Sequence, residues 1–388
     1  MSLDNRITRR RRARLVEELE DHGAIRSAPV ARVMRTVPRH VFVPEADEYR
    51  DEVVVTKSDS SGRPLSSCSQ PAMVAIQLEQ LRVRPGHRVL EIGAGTGYNA
   101  ALLSELVGPE GAVYTVDLDD DIVERARRGL SAVGHAGVTV GRGDGERGWV
   151  NGAPFDRIIA TVGVGDVPAA WWEQLRPGGR VALPLAFRGM QRAMGMVERD
   201  GRLIGDSMEP CGFIPVRGIG AFTESVEVLN AITVAYRDAD QSPAGDLADV
   251  LAGPSSEWWL DEPLRPFDRV NALDLMLAVG EPGYRRVVDR RDEHAAFGAV
   301  SGVVDSGSFA RLVYRRTERG VYLGVRCHGR GRDALVERLR HVLSTWSRRH
   351  RQVDFTPTAV LTRKPLKPPA SVVVDKPHTL LAFVDARH

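Results

Sequence analysis

Lysine is nearly missing from this chain of 388 residues: Lys57, Lys364, Lys367 and Lys376 are the four it has, among 53 basic residues. Arginine and lysine are not equivalent cations, so the bias fits phosphate recognition, although coding bias is the simpler cause. With 51 acidic residues the formal net charge is only +2. That excess is too small to point to a nucleic-acid or membrane-surface partner. Cysteine is also sparse. Cys68, Cys211 and Cys327 are scattered without a CxxC spacing, which argues against a disulfide framework and a zinc site. No metal is expected, and a reduced, cytoplasmic setting fits. No apolar run is long enough to cross a bilayer. The basic run Arg9–Arg12 has no apolar stretch behind it, so no signal peptide is expected, and the run reads as a solvated helix face.

Hydrophobic residues make up 43% of the chain and charged ones 27%, the balance of a soluble globular protein with core enough for two domains. Helices are expected over 6–21, 30–34 and 71–81, with Pro71 suited to a first helical turn. From residue 88 strand and helix alternate: strands near 88–92, 112–116, 137–141, 155–161 and 179–185, helices near 97–107, 119–133 and 167–175. Short connections and apolar strands predict a parallel sheet covered on both faces. Runs at 192–198 and 202–216 around Asp200-Gly201 predict antiparallel strands finishing the same sheet. Beyond about residue 222 this rhythm stops. Residues 239–257 read as a linker, 320–325, 371–374 and 379–384 as strands, and 333–350 as an amphipathic helix with Leu335, Leu339, Val342, Leu343 and Trp346 on one side. The expected division is therefore a catalytic unit at 1–222 and a C-terminal α+β unit at 223–388, suited to recognising a peptide.

The most telling segment is Arg88-Val-Leu-Glu-Ile-Gly-Ala-Gly-Thr-Gly97. A buried strand runs into a glycine turn and then a helix, leaving backbone space and helix N–H groups for a cofactor. The run Val113-Tyr-Thr-Val116 then delivers Asp117 to the end of a second strand, the right separation for gripping a ribose. Gly143-Asp144-Gly145 follows the third strand. Tyr98 occupies the place of a dinucleotide fingerprint's last glycine, which favours a nucleoside cofactor without a pyrophosphate, S-adenosylmethionine (SAM), leaving S-adenosylhomocysteine (SAH). Singly, Asp117 also suits a helix cap and Asp144 a turn. Trp149, Trp171, Trp172 and His40 read as packed structural residues.

Together with Pro38-Arg-His-Val-Phe-Val-Pro44, Ser69-Gln-Pro71, Ala153-Pro-Phe-Asp156 and Gln174-Leu-Arg-Pro-Gly-Gly-Arg180, the chain over residues 5–220 resembles the protein L-isoaspartyl O-methyltransferases. The resemblance implies a Rossmann-like α/β methyltransferase sheet, mostly parallel with antiparallel final strands. It implies Ser69 as the active-site serine, a residue that otherwise reads as a helix N-cap beside Pro71. It implies a cofactor site of Ser66, Ser67, Cys68, Glu91, Gly93, Ala94, Gly95, Gly97, Asp117, Leu118, Asp144 and Gly145, with Glu91 supporting the methionine portion. Methyl transfer onto a carboxylate is an in-line displacement by a group already ionised at neutral pH. Aligning the reactants, worth ~7–11 kcal/mol in favourable cases, is then the enzyme's main task.

Two departures from the family bear on the substrate. Thr161-Val-Gly-Val-Gly-Asp166 replaces an alanine-rich loop that ends in proline, and a whole unit follows residue 222. Val162, Gly163 and Arg217 are the candidate substrate contacts, and a surface role for Arg217 is an equal alternative. These departures resemble the extended members of the family associated with ribosomal peptides such as lanthipeptides and graspetides. They lead to the expectation of aspartate methylation in a modified precursor peptide, with closure to a succinimide that either persists or hydrolyses to isoaspartate. Isoaspartyl repair is the alternative, and a noncatalytic SAM- or peptide-binding adaptor the third. The substrate is expected to be a peptide or protein rather than nucleic acid.

Overall fold

The computed structural model describes residues 4–43, 48–222, 225–229, 232–236, 247–289, 300–305, 307–349, 351, 358–363 and 372–384. Among these residues no helix is long and apolar enough to cross a membrane.

Arg88–Ile92 is a central strand of the first sheet. Its residues are buried from Val89 to Ile92, as a strand covered on both faces must be. It pairs in parallel with Ala112–Asp117 on one side and Phe155–Ala160 on the other. Thr139–Arg142 and Leu175–Phe187 extend the parallel core outward. The helices Tyr98–Val107, Asp120–Ala132 and Ala169–Gln174 lie between successive strands in the chain. The expected strands and helices thus stand close to their sequence-derived bounds, and Leu175–Phe187 outruns the expected 179–185 at both ends, starting opposite Phe155 and running on into the hairpin with Met190. Met190–Arg199 and Arg202–Pro210 complete the expected antiparallel finish. Asp200 and Gly201 both have positive φ, the two-residue turn that matches strand twist.

The first sheet does not end there. Thr358–Thr362 pairs with Arg202–Pro210, and Leu380–Val384 and Val372–Asp375 follow, giving ten strands among the described residues. The expected division gave every residue after 222 to a second unit; strand pairing gives these last three strands to the first. Sequence rhythm is local, whereas an open sheet edge attracts any compatible strand.

Among the described residues the second sheet has seven antiparallel strands, running in order Ser225–Leu229, Ile232–Tyr236, Tyr284–Asp289, Val300–Asp305, Ser308–Thr317, Gly320–Gly329 and Ser255–Trp259. The helix Arg332–Arg349 buries Leu335, Leu339, Leu343 and Trp346, the expected apolar side. Of the expected linker, 239–246 lies outside the described residues, while Leu247–Ala252 is a helix and Ser255–Trp259 an edge strand. Helix Val270–Gly280 is tied to the first sheet at both ends: Arg192 donates to the Asn271 carbonyl, and Arg188 to those of Ala278 and Glu281. One apolar core runs from Leu90 and Leu183 through Leu273 to Leu323 and Trp346. The two sheets share that core.

At the N-terminus, helix Arg6–Asp21 is present as expected. Arg9, Arg10 and Arg11 are exposed, but Arg12 is buried against Asp4, the Arg35 carbonyl and Tyr49. The solvated-face reading therefore fails at Arg12, which is buried along with Leu15, Val16 and Leu19 of the same helix.

Candidate active site

The carboxyl ends of the parallel strands open into a cleft of about 410 Å³, the usual ligand position in such sheets. Four pieces of chain enclose it: the hairpin Val54–Ser58/Pro64–Cys68 with the start of helix Pro71–Leu81, the glycine turn 93–97, the strand end at Asp117-Leu118, and the segment 210–217. Both strands of this hairpin are short and lack clean alternation, so no sequence periodicity marks them. Ser66, Ser67, Cys68, Ser69, Glu91, Gly93, Ala94, Gly95, Asp117, Leu118, Gly145, Val162 and Arg217 all line the cleft.

The turn is shaped for close approach. A Cβ at Gly93 would stand 2.7 Å from Thr161 Oγ1, and one at Gly95 3.3 Å from the Ser67 carbonyl oxygen. Both glycines have positive φ. Asp117 is fixed by the same turn: Gly95 N–H donates to Oδ2 at 3.1 Å and Leu118 N–H to Oδ1 at 2.8 Å. Burial raises the Asp117 pKa, opposed by those amides. Glu91 is 1% exposed. Asn99 Nδ2 donates to its Oε1 at 2.8 Å, and Oε2 is buried without a hydrogen-bond partner among the described residues. Burial pushes its pKa up to about 7. An orphaned carboxylate oxygen on a residue lining the cleft suits an ammonium group such as that of a methionine moiety, and the stripped glycine turn suits a nucleoside.

Ser69 is half-buried in the cleft wall, and its hydroxyl makes no hydrogen bond among the described residues. It is not the helix cap. Gln70 holds that position without a side-chain bond, and its carbonyl accepts from Val74 N–H. Arg39 donates to Cys68 Sγ, which is buried.

Three expected residues do not line the cleft. Gly97 packs against helix Asp120–Ala132, where a Cβ would come 3.0 Å from the Ala126 carbonyl. Asp144 accepts from Glu146 N–H and Ile219 N–H and so anchors the chain beyond Arg217. Gly163 bonds to Ile214 and Val216 through its backbone, holding the 210–217 segment in place. Arg217 does line the cleft, but its guanidinium is paired with both oxygens of Asp119, at 3.2 and 2.9 Å. Lys57 binds the same carboxylate at 2.7 Å. Arg217 is thus engaged by Asp119 in the cleft wall. Its bond to Asp119, followed by that to Lys57, keeps the Asp119 pKa low against its partial burial. His40 is a satisfied structural histidine, 2.7 Å from Tyr49 Oη through Nδ1. Trp171 is likewise buried.

Sequence reading missed Asn99, Lys57, Asp119 and Asp166. The last accepts from His378 N–H, Thr379 N–H and Thr379 Oγ1, fastening the turn before the final strand beside the 161–166 loop. Only the i, i+8 pairing of Glu91 with Asn99 had a local sequence signal.

The family described as protein-L-isoaspartate(D-aspartate) O-methyltransferase matches residues 10–220, more than half the chain. The chain belongs to that family. The protein-L-isoaspartate O-methyltransferase of Methanopyrus kandleri is 44% identical over 227 residues, 58% of this chain and 99% of that protein. That of Hyperthermus butylicus is 40% identical over 222 residues, 54% of this chain and 90% of that protein. A solved structure named protein-L-isoaspartate O-methyltransferase shares the fold with a TM-score of 0.51 and 23% identity, covering 90% of this chain and 96% of its own. That fold likeness reaches well past residue 222. As a member of this family, the chain is a SAM-dependent protein-L-isoaspartate O-methyltransferase.

Proposed function

We propose that the cleft methylates the free α-carboxylate of an L-isoaspartyl residue in a peptide or protein, with Ser69 donating a hydrogen bond that orients it. The observation that carries this reading is the uncommitted Ser69 hydroxyl in a cleft whose single lining cation among the described residues, Arg217, is held by Asp119. A carboxylate oriented by a hydroxyl stays a better nucleophile than one neutralised by an arginine. Bound SAM supplies the electrophilic sulfonium methyl group. One carboxylate oxygen forms the bond to the methyl carbon as the carbon–sulfur bond breaks, and no proton need move. Asp117 and the 93–95 backbone hold the nucleoside in this reading, and Glu91 the amino group. The work of the remaining residues is alignment and exclusion of water.

A narrower reading concerns an aspartate in a modified macrocyclic ribosomal peptide, whose ester closes to a succinimide. The replaced loop 161–166 favours it, because Val162 lines the cleft. The argument from an added domain is weaker, since the fold likeness to a protein of the isoaspartyl name covers 90% of the chain. Mass spectrometry on two substrates separates the readings: a linear isoaspartyl peptide, and a macrocyclic peptide with an ordinary aspartate. Ester formation on the first supports the general reading. Ester followed by loss of methanol on the second alone replaces it with the narrower one.

A further inference from the structure

Part of the cleft wall is built from residues that methyl transfer itself does not use. The hairpin sets Val55 opposite Ser67 and Val54 opposite Cys68. Opposed residues share a face of a sheet, and neighbours along a strand alternate between faces. Burial follows that alternation: Ser66 and Cys68 are buried, Ser67 only partly so. Val55 therefore lies on the more open side with Ser67. Val53, two residues before it, and Ser69, two residues after Ser67, line the same cleft. Val53 is 57% exposed and Val55 48%, although both are apolar. Leu65 and Phe213 line the cleft as well, and neither is buried. Phe213 is held in place by Gln191, which accepts from its N–H at 2.8 Å and donates to its carbonyl at 3.1 Å. Single exposed apolar residues are ordinary, but these four belong to one concave site.

Among the described residues the acidic and basic side chains lining the cleft are Glu91, Asp117 and Arg217. Glu91 is buried, Asp117 is held by the Gly95 and Leu118 amides, and Arg217 is paired with Asp119. What the wall offers an incoming polypeptide beside Ser69 is thus apolar surface. The residue before an isoaspartate lies one Cα spacing, ~3.8 Å, from the carbon that bears the free carboxylate, and the chain reaches the residue after it through one extra carbon. Both neighbours must meet the wall around Ser69.

We propose that Val53, Val55, Leu65 and Phe213 form an apolar subsite that selects isoaspartyl sites with an apolar neighbour. The inference rests on the acceptor being an isoaspartyl residue of a polypeptide, as proposed above.

Six isoaspartyl peptides test it, with leucine, its near-isostere asparagine, or lysine placed directly before or directly after the acceptor. On at least one side leucine raises kcat/KM over asparagine by roughly fivefold, a fraction of what complete burial of leucine gives. Val53→Thr with Val55→Thr keeps side-chain shape and β-branching while adding two hydroxyls. In that variant the leucine advantage falls below about twofold, because the wall has lost its apolar character. Val55→Asp moves the preference towards lysine on the same side. A wild-type ratio near one on both sides, a leucine advantage that survives the threonine variant, or a fall in SAH affinity in step with it each overturn the proposal. Fluorescence anisotropy of the same peptides, labelled and bound in the presence of SAH, reads the subsite without turnover. If none of them is methylated, the isoaspartyl reading fails, yet a leucine advantage in binding that the threonine variant removes still supports the subsite. Equal binding of the leucine and asparagine peptides, or no binding, overturns it.

Discussion

Glu91 joins fold and chemistry at the scale of one residue. The fold buries it completely and favours its neutral form, with a pKa of about 7 against an ordinary 4.5. Below the ordinary value both folded and unfolded chains hold the proton, and Glu91 costs nothing. As pH rises from there to about 7, only the unfolded chain ionises freely, so this contribution to stability is lost. Glu91→Gln should therefore melt with the wild type near pH 4.5 and above it at pH 8, by a margin on the order of 3 kcal/mol. Thermal melts of the ligand-free protein across this range check the prediction, and a constant difference would contradict it. Ser69 carries a different burden. Ser69→Ala should keep SAH affinity within a factor of ~2 while turnover falls roughly a hundredfold, the scale of losing one positioned donor. Calorimetry beside initial rates measures the split, and equal losses would assign Ser69 to the cofactor instead. Both residues were legible in the sequence because they lie within compact motifs. The fate of Arg217 was not, since its partner lies 98 residues away.

Among the elements, the wall of the cleft is the main departure from the sequence reading. The hairpin, the loop after Asp117 and the segment 210–217 converge on Asp119, through Lys57 and Arg217. Each pair is partly exposed, so each contributes only ~0.2–1 kcal/mol. Both must yield if these pieces part to exchange cofactor. Asp119→Asn should speed SAH dissociation by roughly three- to tenfold and remove its dependence on salt. Stopped-flow displacement reads this directly, and an unchanged rate would show that the cleft opens elsewhere. The glycine turn and parallel strands were legible because burial on both faces leaves near-continuous apolar runs. The hairpin at 54–68 was hidden, having two short strands of mixed polarity. The seven-stranded sheet was only partly legible: Gly320–Gly329 announced itself, while the short polar edge strand Ser255–Trp259 did not.

For the whole molecule, the expected boundary at 222 implies a catalytic unit that folds alone, but the ten-stranded sheet and the shared core imply otherwise. Residues 1–222 lack the strands covering Arg202–Pro210 and the Thr379 contacts to Asp166. Calorimetry of the full chain should show one cooperative transition, and the 1–222 fragment should melt well below it or aggregate. Two separated transitions in the full chain, with the fragment matching one of them, would restore the expected division. The claim that depends on the whole assembly is the choice of carboxylate. Its most direct test is methylation, from labelled SAM, of two linear peptides identical except for an α- or β-linked aspartate, with the base-labile ester located by tandem mass spectrometry. The full chain should esterify the α-carboxylate of the isoaspartyl isomer and leave the ordinary aspartyl peptide unlabelled. Equal labelling of both isomers, or label confined to the ordinary aspartate, would contradict the account.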